Sequence, residues 1–167
     1  MKTLDTIKKI PMDIAVALAQ NKKLQQLLID DSNEFADDFT PYSINQLLQD
    51  EYISFTPVID NNIQNANKNS FLVINLDEIN FSNRDENIAV AGTIFIGTDK
   101  QHALLKNNSL RLVEMIDEIL RSLDNKKIST SGTIEMRYAT FVSYSEYVFG
   151  YKIMFAVLEQ ETRRAEI

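Results

Sequence analysis

Two apolar strand patterns separated by one amphipathic helix limit what this chain can become more than any other feature in it. The first pattern is Ile88-Ala-Val-Ala-Gly-Thr-Ile-Phe-Ile-Gly97, apolar on both faces, as expected of a central strand covered on both sides. Within it, Gly92 predicts a bulge or a close approach of another group. The helix spans 109–123, with Ser109 as its cap. Leu110, Val113, Ile116, Ile119 or Leu120, and Leu123 recur at helical spacing, and Arg111, Glu114, Glu118 and Arg121 take the other face. Asn125-Lys126-Lys127 ends it, placing basic residues beside the negative helix terminus. The second pattern is a hairpin, with strands over 133–142 and 147–159 joined by Ser143-Tyr-Ser-Glu146. Its last strand is apolar on both faces, so it is either central or covered by a partner chain.

The first half is less regular. Residues 12–29 have helical spacing, with Pro11 suited to a first turn and a break expected near Asn21. Residues 31–70 form an irregular segment. Within it Ser43 is an N-cap for a short helix carrying Ile44, Leu47 and Leu48, and 52–58 reads as an edge strand because Pro57 cannot donate to a ladder. The stretch 60–69 is rich in asparagine and has no apolar period, which predicts an exposed loop. A strand follows at 71–79, and the tail 160–167 is charged. The expected fold is therefore α+β. A mainly antiparallel sheet, with strands near 52–58, 71–79, 88–97, 133–142 and 147–159, packs against the helix 109–123, with an N-terminal helix at 12–29. One domain over 1–167 accommodates this, because a chain of that length buries roughly two-thirds of its unfolded surface.

Composition removes several classes of function. There is no cysteine, which excludes disulfides, thiolate zinc sites and thiol catalysis. The longest apolar runs fall short of the ~20 residues a bilayer span needs. The first ten residues contain lysines but no continuous apolar core of a secretory signal. A net charge of −7 argues against a nucleic-acid binder, which needs a basic footprint.

Residue sets able to do chemistry are weak. His102 is the single histidine and follows Gly97-Thr-Asp-Lys-Gln in a loop, with no serine or carboxylate at triad spacing. Asp77-Glu78 on one strand and Glu135-Met-Arg137 on another read first as alternating outward charges on half-exposed strands; a metal-dependent nuclease, which usually has lysine where Arg137 stands, is a distant third reading of the chain. The acidic pairs 30–31 and 37–38 lack the glycine-turned loop of a calcium site, and no glycine motif for phosphate is present. The aromatics of the last hairpin read as core before they read as a base-stacking platform. No catalytic residue, metal or cofactor is expected.

The order of elements, with a leading helix, an irregular stretch, two strands, a helix and a final hairpin, resembles the tail terminator (tail-completion) proteins of long-tailed bacteriophages and their neck relatives. The similar parts are the strand 88–96, the helix Leu-Arg-Leu-Val-Glu-Met-Ile-Asp-Glu-Ile-Leu over 110–120 and the strand 147–157. The resemblance covers roughly residues 70–159 and is a pattern of elements rather than a motif. The segment 31–70 departs from compact members of the family. The resemblance implies a structural virion protein at the head–tail junction, assembled in the host cytoplasm. It would form a homo-oligomeric ring, hexameric or dodecameric, that caps the tail tube and joins it to neck or portal proteins while DNA passes through the lumen. It implies no membrane and no enzymatic activity. Tyr52, Phe55, Asn61, Asn62, Ile63, Tyr147, Arg163 and Arg164 are the residues expected at its interfaces. The alternative is a non-viral α+β module that recognises a protein partner.

Overall fold

The computed structural model describes residues 4–30, 37–55, 69–79, 88–128 and 132–158. The elements run α1 (Leu4–Ala19), α2 (Lys22–Ile29), α3 (Ile44–Gln49), β1 (Ile53–Ser54), β2 (Ser70–Ile79), β3 (Ile88–Asp99), a 3-10 turn (Lys100–His102), α4 (Arg111–Leu123), β4 (Lys127–Ile128), β5 (Gly132–Ser143) and β6 (Val148–Leu158). The fold is α+β. The strands form one six-stranded sheet in the order β1-β2-β3-β6-β5-β4, antiparallel except for the β1–β2 pair. Both strands read as apolar on two faces, β3 and β6, lie side by side in the middle. No partner chain is needed to explain β6.

One face of the sheet carries the helices. Leu72, Ile74, Ile94, Ile96, Ile153 and Phe155 alternate onto this face, and they pack against Ile10, Ile14 and Leu18 of α1, Leu24 and Leu27 of α2, and Met115 and Ile119 of α4. Burying side chains of this size contributes about 1.5–3 kcal/mol each. The opposite face holds a smaller cluster of Phe71, Val73 and Val148, with Phe95 and Tyr144 against it. Tyr144 folds back from the β5–β6 hairpin, sets its ring edge-on to Phe71 with centroids 5.3 Å apart and donates its hydroxyl to the Ile96 carbonyl at 3.3 Å. Burial pushes the Tyr144 phenol well above its ordinary value, so it stays a donor.

Gly92 marks both features its position suggested. A Cβ there would meet the Phe155 ring at 2.4 Å, and the facing strand shifts register between Leu76 and Glu78. In the first half, Ser43 caps α3 through a capping box, accepting from the Gln46 N–H at 3.2 Å while the Gln46 side chain accepts from the Ser43 N–H at 3.0 Å. The extended segment near 52–58 is described only as far as residue 55, where β1 is short. The asparagine-rich loop 60–68 and the tail 160–167 lie outside the described residues.

Three local expectations need correcting. The N-terminal helix begins at Leu4, not near residue 12, so Pro11 sits inside it. The missing N–H costs one intrahelical bond, and the helix continues because Ile7, Ile10 and Ile14 bury one face across the proline. Ser109 does not cap α4. The helix starts at Arg111, Leu110 holds the N-cap position without a side-chain bond, and the Ser109 hydroxyl donates to Asn107 Oδ1 at 2.7 Å. The core face of α4 is also rotated from the expected one. Leu112, Met115, Ile119 and Leu123 are buried together with Arg111 and Glu118, while Leu110, Val113 and Leu120 are exposed. Eight apolar residues between 110 and 123 spread over more than one helical face, so spacing alone fits two rotations of the helix.

The break at Asn21 explains which rotation wins. Asn21 Oδ1 caps α2 by accepting from the Leu24 N–H at 3.0 Å, while its Nδ2 donates to the Glu118 carboxylate at 2.9 Å and to Ser122 Oγ at 3.0 Å. Lys23 adds ion pairs to Glu114 at 2.8 Å and Glu118 at 3.2 Å. Glu118 and Ser122 of α4 are thus turned inward against the α1–α2 corner, while Arg121 stays outside, paired with Asp117 at 2.8 Å.

The hydrogen bond and charge of Lys23 hold the Glu114 carboxyl below its ordinary value, and the same contact raises the Lys23 ammonium. A depressed carboxylate adds stability above its unfolded pKa of 4.5 and loses it as pH falls through the folded value. A raised ammonium adds stability below 10.5 and loses it as pH rises through its folded value. Both effects are therefore present between about pH 5 and 10. Glu114→Gln is expected to lower stability there by less than about 1 kcal/mol, because both groups are partly solvated. It should also flatten the loss of stability on acidification below pH 4.5. Thermal melts at pH 7 and pH 3.5 that shift equally for variant and parent would refute the pairing.

Candidate interaction surface

Rotating α4 to bury Arg111 and Glu118 leaves apolar surface outside. Leu110, Val113 and Leu120 stand 53%, 50% and 38% exposed along the helix, and Leu104 joins them at 52%. The short antiparallel bridge between Leu104 and Leu110 fixes that loop beside the helix start. A second exposed pair, Met12 and Val16, lies one turn apart on α1. These two places on the helical layer are separate in sequence and belong to different elements.

The sheet presents a third surface at β5. The Ile134 N–H donates to Lys126 O and its carbonyl accepts from Asn125 N–H, both at 2.9 Å, so β4 and its turn close this edge at its start. The Met136 N–H is taken by Asp124 Oδ1 at 3.0 Å. A register shift between Met136 and Tyr138 then reverses the alternation. At the far end the Tyr144 N–H donates to Val148 O at 3.0 Å, toward β6. Alternation in an antiparallel ladder accordingly aims the backbone N–H and C=O of Ala139, Phe141 and Ser143 away from β6. Among the described residues no strand pairs with that side. Residues 137–141 are exposed on both faces of the sheet. Phe141 lies on the helical face beside Phe149 and Tyr151, with centroids 6.1 and 5.8 Å away.

The sets proposed for chemistry do not converge. Asp77 accepts from Thr93 Oγ1 and from Asn75 Nδ2 on β2–β3, whereas Glu135 pairs with Arg137 at 3.3 Å on β5. β3 and β6 lie between them, a separation of about 14 Å at strand spacing. His102 Nδ1 sits 2.7 Å from Asp99 Oδ1, which also accepts from the His102 N–H at 2.9 Å, so this pair closes the 3-10 turn. Among the described residues no group of acidic or histidine side chains is placed to hold a metal ion, and no helix is long and apolar enough to cross a membrane.

Of the expected interface residues, Tyr147 is 62% exposed at the hairpin, with the Lys100 ammonium 6.0 Å from its ring centroid. Tyr52 and Phe55 are half-buried against the main core, Tyr52 edge-on to Tyr42. Asn61, Asn62, Ile63, Arg163 and Arg164 lie outside the described residues. Tyr147 thus stands at the β5–β6 hairpin, while Tyr52 and Phe55 pack beside β1, and neither the α4 stripe nor the β5 edge is among the expected interface residues. The excess of apolar positions on α4 was the available signal for the stripe. The edge had none, because strand order is not written in local spacing.

Comparison with protein-family models and with curated proteins returns no match for this chain. The functional reading therefore rests on the surfaces themselves.

Proposed function

We propose that this chain is a structural virion protein that assembles as a homo-oligomeric ring at a phage head–tail junction, capping the tail tube and joining it to the neck or portal. The observation that carries the proposal is the unpartnered apolar stripe of Leu104, Leu110, Val113 and Leu120. A ring closes through a heterologous contact, in which one patch of each copy meets a different patch of the next. The α4 stripe and the Met12–Val16 pair of α1 supply two such patches. The order of elements over 70–159 supports the family, and the net charge of −7 suits a lumen that DNA must pass without sticking. Six or twelve copies, with neck and tail-tube proteins as neighbours, are the assemblies this reading implies.

The same surfaces fit a non-viral protein-interaction module, and electron microscopy separates the two. Purified protein, alone or on tail tubes, is expected to form annular particles. Val113→Asp with Leu120→Asp should reduce them at least about tenfold, the effect of ~1.4 kcal/mol at an interface. Both positions are exposed, so the fold should persist. A chain that shows no annuli in either setting and stays outside mature particles would refute the ring.

A further inference from the structure

We propose that the open edge of β5 pairs antiparallel with the same edge of a second copy, about a two-fold axis at Phe141. This goes beyond the ring, which closes through unlike patches, and it joins like surfaces of two copies.

Exposed edges are normally blunted by lysine, proline or an inward charge. The segment Tyr138-Ala-Thr-Phe-Val-Ser143 has none of these. Its outward groups belong to Ala139, Phe141 and Ser143. Setting Phe141 opposite its own copy places Ala139 opposite the second copy's Ser143, which pairs every outward donor and acceptor of both edges. The two Phe141 rings then lie on one face as a cross-strand aromatic pair.

Charge selects a copy of this chain as the occupant. Two molecules of net charge −7 repel in general, yet the segment 138–143 carries no charge, with exposed Arg137, which also pairs with Glu135 at 3.3 Å, before it and exposed Glu146 in the turn after it. The antiparallel two-fold brings Arg137 of each copy level with the Ser145–Glu146 turn of the other, so opposite signs meet at both ends. A head-to-tail continuation of the sheet fits less well. The far edge is headed by β1, only two residues long, which blocks part of β2.

The chain lacks cysteine, so a single introduced thiol reports its own contact. Opposed residues of a hydrogen-bonded antiparallel pair have Cα atoms about 5.5 Å apart, within disulfide range. Full-length Phe141→Cys is expected to oxidise to a covalent dimer at least about tenfold faster than Tyr138→Cys, a comparably exposed neighbour that faces away from the axis. Phe141→Lys should weaken self-association, measured by sedimentation velocity, at least about tenfold with the circular dichroism spectrum unchanged. A parent chain monomeric at about 0.1 mM would overturn the proposal. So would association indifferent to Phe141→Lys, or equal cross-linking at both cysteines. Annuli that persist in Phe141→Lys while parent and variant pair equally would sink this contact and leave the ring standing. Loss of annuli in the α4 variant, with Phe141→Cys cross-linking retained, would support both the contact and the ring, and would show that they use different surfaces.

Discussion

Replacing Gly150 with alanine is expected to cost more than about 4 kcal/mol, enough to leave a domain of this size largely unfolded. A Cβ at this position would lie 1.8 Å from the Ile96 carbonyl oxygen and 2.8 Å from the Gly97 Cα. Both are backbone atoms of β3, so no side-chain rotation relieves the clash. Gly150 faces Gly97 across the β3–β6 seam, the middle of the sheet, and pushing these strands apart disrupts the ladder that both halves depend on. Gly97→Ala is the control. Its Cβ would meet the Phe71 ring at 2.3 Å, a side chain that can swing aside, so a loss of about 1–3 kcal/mol is expected. Urea denaturation of the two variants measures the difference. A Gly150→Ala protein within about 1 kcal/mol of the parent would show that the strands do not approach this closely.

The second large effect is expected at Arg111. Its side chain is 1% exposed, and its guanidinium donates to three backbone carbonyls, through Nε to His102 at 2.7 Å and through one terminal nitrogen to Leu27 at 2.7 Å and Asp30 at 3.1 Å. The positive group thus sits at the end of α2, where the last carbonyls lack intrahelical partners and the helix dipole is negative. It also ties α2 to the 3-10 turn and to the start of α4. Arg111→Met keeps most of the volume but strands these buried acceptors, and a loss of about 3–5 kcal/mol is expected. Arg111→Lys should recover little, because one ammonium cannot reach carbonyls on both sides as a planar fork does. If Arg111→Met melts with the parent, the clamp adds nothing to stability.

Arg111 also shows where a sequence stops being legible. The strands could be read because their apolar residues keep a period of two, and the two-sided strands 88–97 and 147–159 announced their central places. The capping box at Ser43 and the break at Asn21 could be read because each side chain acts on backbone only a few residues away. The burial of Arg111 and Glu118 could not, because the partners in α2 and at its two ends that draw them inward, Leu27, Asp30 and Asn21, lie 81 to 97 positions away in the chain. A pattern that assigns charge to solvent turns α4 the wrong way, and only the packing of α1 and α2 against it corrects the face. Pro11 misled for a related reason, since local chemistry places proline at a helix start and distant burial carries the helix past it. The interaction surface was legible only as an expectation drawn from the order of elements. The stripe on α4 follows from the rotated helix, and the open edge of β5 follows from strand order.

Strand order also sets the schedule on which the molecule can be made. β6 is the last described strand to leave the ribosome, yet it stands in the middle, joining Ile88 to Leu158 and Asp99 to Val148 across 49 to 70 residues of chain. Until it arrives, β2–β3 and β5 are separate pieces with unsatisfied flanks. Closing such long loops makes for slow folding, and a nascent chain cut short before β6 keeps its helices and hairpins apart. Synthesis of β6 and completion of the sheet are thus the same event.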